Sequence, residues 1–495
     1  MKIAYVQMKV AAGHPDVNTK KILQFIEKAR TQGADVVIFP KFAISGEMLG
    51  DTLKQKSFLR DCELCTAEII AAAKNIIIVL DDKKIFDNFD VKFSSAPFSL
   101  EKNFPDKKIS RPVICVGCVG IQNTGKTVYT FDGASTVYNS RGEVVQRAET
   151  FAECLNFVEL EEIDKMPALE LPEVSEAEKI YSAISYGVKN FLEQIGMKKV
   201  VIGVSGGIDS AVAAALYTKV LGAENVFLVN MPSVFNSATT KNLSEQLAKN
   251  LGCKYFVVPI QESVDWTVKQ LEERGIAVSG FVKENIQARD RSSRILAAIA
   301  ASVGGGFTCN ANKAESTVGY ATLYGDEAGF LSALADLWKY QVYALANYMN
   351  EKIFCREVIP QGIIDIVPSA ELSTAQNVDE GKGDPLKYPY HDYLFRAFVE
   401  KDLTPEEILN FYATGELEKN IGCAAGLVEK YFPTPQNFIE DLERWWKQFT
   451  GMGVAKRIQA PPILAVTSKP YGVRAESQNG WHFTKKYLEL KNKLL

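Results

Sequence analysis

The chain has 495 residues, more than the ~250–300 at which a single hydrophobic core stops growing, so two domains are expected. Hydrophobic residues at 47% and charged residues at 23% exclude a disordered or fibrous class. Lys+Arg 56 against Asp+Glu 60 leaves a net charge of -4, with no electrostatic pull toward nucleic acid or anionic membrane. The opening MKIAYVQMKVAAG has Gln7 and Lys9 interrupting its apolar run before a secretory core forms. The longest apolar stretches, such as Ile295 to Val303, fall short of the about 18 residues that span a bilayer. Nine scattered cysteines, an odd number, are no disulfide framework and suit a reducing cytoplasm. Two C-x-x-C pairs, Cys62/Cys65 and Cys115/Cys118, raise zinc, but the second lies in a strand-like run where i and i+3 face opposite ways. Buried structural thiols are expected instead.

From residue 2 to about 160 short apolar strands alternate with helices. IAYVQM is followed by a helix around Thr19 to Gln32 and a buried strand from Ala34 to Pro40. NIIIVLDD, FDVKFSSAPF and PVICVGCVGI come next, then VYTFDGASTVYNSRGEVVQRAE with hairpin turns expected at Asp132-Gly133 and Arg141-Gly142. The acidic, proline-bearing NFVELEEIDKMPALELPE marks a boundary between domains at 1–165 and 175–495. Beyond it lie a helix from Ser175 to Ile195 and a βαβ rhythm: strand Lys199 to Val204, a helix from Ser210, strand Val226 to Met231, helix Ser237 to Leu251 and strand Tyr255 to Pro259. A helix from Glu284 to Ser302 carries Arg289, Arg291 and Arg294; Gly304 to Gly306 ends it before a strand from Phe307 to Asn310. The pattern is α/β, with a doubly wound, mostly parallel sheet in the second domain.

Between Gly203 and the second helix stands Ser205-Gly206-Gly207-Ile208-Asp209-Ser210. A strand, a glycine turn and a helix N-terminus aim consecutive backbone N–H groups at one point, which makes an anion site. Ser205 and Ser210 add hydroxyls. Asp209 beside phosphates implies Mg²⁺ between them. An ordinary capped strand-to-helix turn would not need six specified positions. No lysine follows the glycines as in GxxxxGK[ST]. The loop resembles that of the ATP pyrophosphatase-type (adenine nucleotide hydrolase-like) synthetases, which cleave ATP between the α- and β-phosphates.

The segments MPS (231–233), ENIQAR (284–289), NKAESTVGYATLYGD (312–326), LWKYQVY (337–343), PSAEL (368–372) and KRIQAPP (456–462) are similar, in order and spacing, to those of NAD synthetase. That resemblance implies that the nicotinate carboxylate of deamido-NAD is adenylated by ATP and then amidated by ammonia, giving NAD, AMP and pyrophosphate. It implies Asp209 and Glu315 on Mg²⁺, and Lys339 and Lys456 as catalytic and phosphate-binding cations. Arg289, Arg291 and Asn310 would meet ATP, and Asn312, Asp326, Ser369 and Glu371 the dinucleotide. One departure is Cys309-Asn310-Ala311-Asn312-Lys313, where the family usually has Thr-Thr-Gly-Asn-Lys.

The first domain is similar to a nitrilase-like amidase, the glutaminase half of glutamine-dependent NAD synthetase, through ADVVIFP with Gly46, SSAPF, FDGAS and RGEVVQRAETFAE. Such amidases need a Cys nucleophile, a Glu base and a Lys. The base position after Phe39-Pro40 holds Lys41, and the nucleophile stretch either corresponds to Val79-Leu80-Asp81-Asp82, with Leu80 at the cysteine, or is deleted. A degenerate sandwich, short by several tens of residues and lacking glutaminase activity, is expected. Ammonia would come from solution or from a separate glutaminase, and the family suggests a homo-oligomer. Three alternatives stand beside this: a glutaminase with a non-standard site, amidation of nicotinate mononucleotide, and a regulatory protein that binds dinucleotide without turnover.

Overall fold

The computed structural model describes residues 1–80, 86–101, 109–473 and 476–495. It divides into two compact units, Met1–Phe191 with Ala465–Ser468, and Leu192–Leu464 with Lys469–Leu495. The division falls within a helix beyond the acidic 165–175 linker.

In the first unit, β1 (Lys2–Gln7) pairs in parallel with β2 (Val36–Ile38), and β2 with β3 (Ile77–Val79). The order of the other strands is β4 (Asp90–Ser94), β5 (Val113–Gly117), β6 (Val119–Asn123), β7 (Thr127–Asp132), β8 (Thr136–Tyr138), β9 (Val144–Arg147) and β10 (Cys154–Glu159). β10, read from sequence as the start of the linker, closes the first sheet antiparallel to β1. The second sheet runs β4-β5-β8-β9.

Alternation along β1 builds two layers. Ile3 and Tyr5 pack with Val36, Ile38, Ile114, Val116 and Val137, between the sheets. Ala4 and Val6 face the other way, onto Ile22 and Ile26 of α1 (Pro15–Thr31) and Ile69 of α2 (Lys56–Ala71). α1 starts earlier than its apolar pattern suggests because Pro15 sits at its first turn, where its missing N–H costs nothing.

Two expectations are corrected. Asp132-Gly133 is no hairpin turn: β7 pairs with β6, whereas β8 pairs with β5 and β9, so the chain changes sheets there. The run PVICVGCVGI is two strands broken at Cys118. Cys118 and Cys309 are buried thiols, but Cys62, Cys65 and Cys115 are only half-buried.

α3 (Glu176–Gln194) belongs mostly to the first unit; the second holds a parallel sheet of β11 (Val200–Gly203), β12 (Val226–Asn230), β13 (Lys254–Val257) and β14 (Gly306–Phe307), ordered β13-β12-β11-β14. α4 (Ile208–Leu221) and α5 (Ala238–Leu251) are the crossovers, and both pack on β12. On the opposite side, Val201, Phe227 and Val229 meet Val264, Ile295 and Leu296. The helix read as Glu284 to Ser302 begins at Gly280 and passes through a π-helical stretch, Asp290–Leu296, to Val303. Strand order reverses between β11 and β14, so the crevice at the carboxyl end of β11 is the switch point where ligands bind in such sheets. A separate aromatic and aliphatic core, including Tyr390, Phe395, Phe398, Phe438 and Trp445, holds the C-terminal helices together.

Candidate active site

The phosphate loop leaves β11 at the switch point and turns into α4. Gly206 has φ +91, and a Cβ there would stand 2.4 Å from the Thr240 carbonyl oxygen. Only glycine lets the loop lie against α5. Ser205 and Ser210 stabilise the turn from within: the Ser205 amide donates to Ser210 Oγ (3.3 Å), which donates to the Gly207 carbonyl (2.9 Å). Ile208 is the first residue of α4, so Asp209 sits in its opening turn.

Two further helix starts bring their first-turn side chains to the same place. α6 (Gln261–Glu272), α7 (Gly280–Arg289) and α8 (Ala297–Val303) lie between; α9 (Lys313–Val318) then carries Glu315, and α10 (Lys339–Tyr348) begins at Lys339. Lys339 Nζ lies 2.5 Å from Asp209 Oδ2 and 3.5 Å from Glu315 Oε1. The Tyr388 hydroxyl donates to Glu315 Oε1 at 3.0 Å. Burial pushes the Glu315 carboxyl up to about 7; Asp209 adds to this and Lys339 opposes it. Burial works against the Lys339 charge, but Asp209 and Glu315 outweigh it, and its proton is held more tightly than usual. Behind the cluster, the Lys313 amide donates to the Leu337 carbonyl and its ammonium meets Asp336 Oδ1 at 2.8 Å, fastening α9 to the segment before α10.

Asp209, Glu315 and Lys339 line a cavity of ≈ 270 Å³ together with Gly203, Ser205, Gly206, Gly207, Ile208, Ser210, Arg291, Asn310, Asp326 and Ser369. Arg291 lowers into it with its guanidinium pushed down to about 10 by burial, Nε donating to the Met231 carbonyl at 3.0 Å. Burial also raises the Asp326 carboxyl, which accepts the Thr322 amide at 2.7 Å. Asn310 donates to the Gly203 carbonyl at 3.3 Å, so the amide at the departure from the family motif faces the phosphate loop.

Four residues expected at the site are placed elsewhere, each for a visible reason. Arg289 is exposed and donates to the Leu323 carbonyl at 3.1 Å. Lys456 does not line the cavity; its ammonium donates to the Gly319 and Ala321 carbonyls at 2.7 and 2.5 Å, supporting the loop that carries Tyr320. Glu371 is buried and accepts from the Ser237 amide (3.0 Å) and the Thr240 hydroxyl (2.7 Å), satisfying the start of α5. Asn312 is wholly buried and touches Asp209, not the cavity.

Among the lining groups that the sequence did not single out are Asp384 and Tyr320. Asp384 accepts from the Tyr320 hydroxyl (3.2 Å) and the Ala370 amide (3.0 Å), and burial raises its carboxyl. The repeated tyrosines of KYPYHDY were the only sign of Tyr388.

The donor set suits Mg²⁺. Asp209 and Glu315 stand within reach of one cation, as Lys339 demonstrates, and hard carboxylate oxygens completed by phosphate oxygens are what this ion takes. Among the described residues no group of three or more His, Cys, Asp or Glu forms a cage that would hold a metal without help from a ligand.

In the first unit, Lys41 follows β2 with its ammonium 5.2 Å from the Phe42 ring centroid. Glu47 lies near enough for Lys41 to pull its carboxyl down, against the larger upward effect of burial. Leu80 packs against the cluster that includes Phe39, Ile69 and Ile76. Asp81 and Asp82 lie outside the described residues.

Residues 180–421 match the NAD synthase family model. The glutamine-dependent NAD(+) synthetase of Synechocystis is 34% identical over 80% of this chain, and the chain spans 65% of that relative's length. The one from Xylella fastidiosa Temecula1 is 27% identical, over 95% of this chain and 97% of its own. The solved glutamine-dependent NAD(+) synthetase of Cytophaga hutchinsonii superposes with a TM-score of 0.76 at 14% identity, covering 100% of this chain and 99% of that one, a likeness of fold. No described helix is long and apolar enough to cross a membrane. With the phosphate loop at the switch point and its carboxylates and lysine gathered from three helix starts, these matches show an NAD synthase domain at 180–421, in a chain with the fold of a two-part glutamine-dependent NAD(+) synthetase.

Proposed function

We propose that this chain makes NAD from deamido-NAD, with ATP as the activating cosubstrate and ammonia as the nitrogen source. The observation that carries the reading is Lys339 bridging Asp209 and Glu315 beside the phosphate loop. An oxygen of the nicotinate carboxylate attacks the α-phosphorus, and the bond to the β-phosphate bridging oxygen breaks, releasing pyrophosphate toward the Ser205–Ser210 loop. Ammonia then attacks the acyl carbon. The C–O bond to AMP breaks, and the nitrogen loses a proton as the amide forms. Loop amides, Lys339 and Arg291 oppose the charge that builds on the phosphates. Asp209 and Glu315 would hold Mg²⁺, which supplies charge neutralisation at the phosphates.

Ammonia is favoured over glutamine by the first unit. Lys41 follows Phe39-Pro40 where the amidase base would stand, and the nucleophile stretch either corresponds to Val79-Leu80-Asp81-Asp82 or is deleted; neither Lys41 nor Leu80 performs that chemistry. The Xylella alignment runs over 563 positions against 95% of a 495-residue chain, so the relative carries segments that this chain lacks. The relatives are named glutamine-dependent. The reading for this chain is that the fold is kept and the amidase chemistry lost, with ammonia arriving from solution or from a separate glutaminase.

Deamido-NAD labelled with ¹⁸O in its carboxylate tests the chemistry. Incubation with ATP, Mg²⁺ and ammonium should place one ¹⁸O in AMP per NAD formed, with pyrophosphate in equal amount. Formation of ADP and phosphate, or unlabelled AMP, would refute adenylation. Nicotinate mononucleotide, offered in competition, should be the poorer substrate.

A further inference from the structure

We infer that Asn312 is a positioning residue that sets the separation of Asp209 and Glu315, joining the start of α4 to the start of α9 through the two ends of one carboxamide.

The orientation of that amide follows from its partners. Its Oδ1 accepts the Glu315 amide N–H at 3.1 Å, as the cap of α9. That leaves the Nδ2 end of the carboxamide to donate to Asp209 Oδ1, 3.1 Å away. A single planar side chain thus holds the helix that carries one carboxylate and the other carboxylate itself. Asp209 is gripped at both oxygens, by Asn312 on Oδ1 and Lys339 on Oδ2. Asn312 is fully buried and absent from the cavity wall, so it acts through Asp209 and not on the ligand. Its neighbour Lys313 ties the same helix start to Leu337 and Asp336, so loss of the amide would leave α9 in place and free the Asp209 carboxylate to move.

A cap alone would be satisfied by serine, whose hydroxyl accepts the same N–H but is too short to reach Asp209 at the same time. Asn312→Ser therefore separates the two roles. The inference rests on Asp209 and Glu315 being the cation-binding pair of the proposed reaction, so the first readout is independent of turnover: Mn²⁺ affinity in the presence of a non-cleavable ATP analogue, measured by paramagnetic resonance on the full chain.

N312S should melt within about 3 °C of the parent, bind Mn²⁺ at least tenfold more weakly and lose kcat by at least tenfold, with a smaller change in KM for deamido-NAD. Mn²⁺ affinity and kcat within twofold of the parent would overturn the inference, as would a loss of stability with unchanged affinity in the folded fraction. Should N312S not fold, Asn312→Gly, which caps nearly as well and has no side chain, gives the same comparison. If the parent binds Mn²⁺ with the analogue but makes no NAD, the proposed reaction fails while this comparison still decides the role of Asn312.

Discussion

Replacing Gly206 with alanine tests how closely the phosphate loop must lie against α5. At φ +91 an alanine is strained by about 1–2 kcal/mol before any contact is considered. Its Cβ would stand 2.4 Å from the Thr240 carbonyl oxygen and 2.8 Å from Thr240 Cα, both backbone atoms that cannot swing aside. Restoring ordinary contact at 3.4 Å requires the loop or α5 to move by about 1 Å. A misplacement of that size at a reacting centre costs about 100-fold in rate. We therefore expect kcat/KM for ATP to fall at least 100-fold in a pyrophosphate-release assay. Urea unfolding should show a loss of about 2–5 kcal/mol, the backbone strain together with the crowding against Thr240. Gly207→Ala is the control: at φ -91 and ψ 161 the backbone suits alanine, and its Cβ meets only Ser205 Oγ at 3.3 Å. It should keep activity within about fivefold. If G206A binds ATP and turns over like G207A, the close approach to Thr240 is not what shapes the loop.

Three other outcomes follow from the geometry. Lys339→Met leaves Asp209 and Glu315 facing each other without their shared cation; pyrophosphate release should fall at least 100-fold and thermal unfolding should show a loss of about 3 kcal/mol. Glu371→Gln replaces an acceptor of the Ser237 amide and Thr240 hydroxyl with a group that is half donor, and should cost about 1–3 kcal/mol in urea unfolding while NAD formation in the folded fraction persists. Asp392 is held up to about 7 by burial, opposed in part by the Tyr340 amide that it accepts at 2.9 Å. Its folded pKa exceeds the unfolded value of ~3.9, so its contribution is fully present below that value and is lost as pH rises through 7. Asp392→Asn should therefore gain on the parent by a few kcal/mol between pH 5 and pH 8, measured by urea unfolding at each pH.

Much of the synthase site was legible because its chemistry is written in short contiguous segments. The strand, glycine turn and helix around Ser205–Ser210 and the first-turn positions of Glu315 and Lys339 lie within single motifs, and the fold brings them to one cavity. Motifs say which residues gather but not which way each side chain turns. Glu371 and Asn312 belong to the right segments, yet one satisfies the start of α5 and the other braces Asp209. Asp384 and Tyr388 reach the site from a stretch with no recognisable spacing, so only tertiary packing reveals them. In the first unit, Asp132-Gly133 has the composition of a hairpin turn, but composition cannot tell a turn that reverses a strand from one that carries the chain into another sheet. Lys41 was readable for a simpler reason: it differs in chemical class from the glutamate that the amidase resemblance calls for after Phe39-Pro40, which needs no fold to see.

The nitrogen source is the most direct measurement of the account. Purified full-length protein, supplied with ATP, Mg²⁺ and deamido-NAD, should form NAD when ammonium is added and form none above background when glutamine is the sole nitrogen donor. Glutamine-driven NAD synthesis at a rate comparable to that with ammonium, accompanied by stoichiometric glutamate, would contradict it.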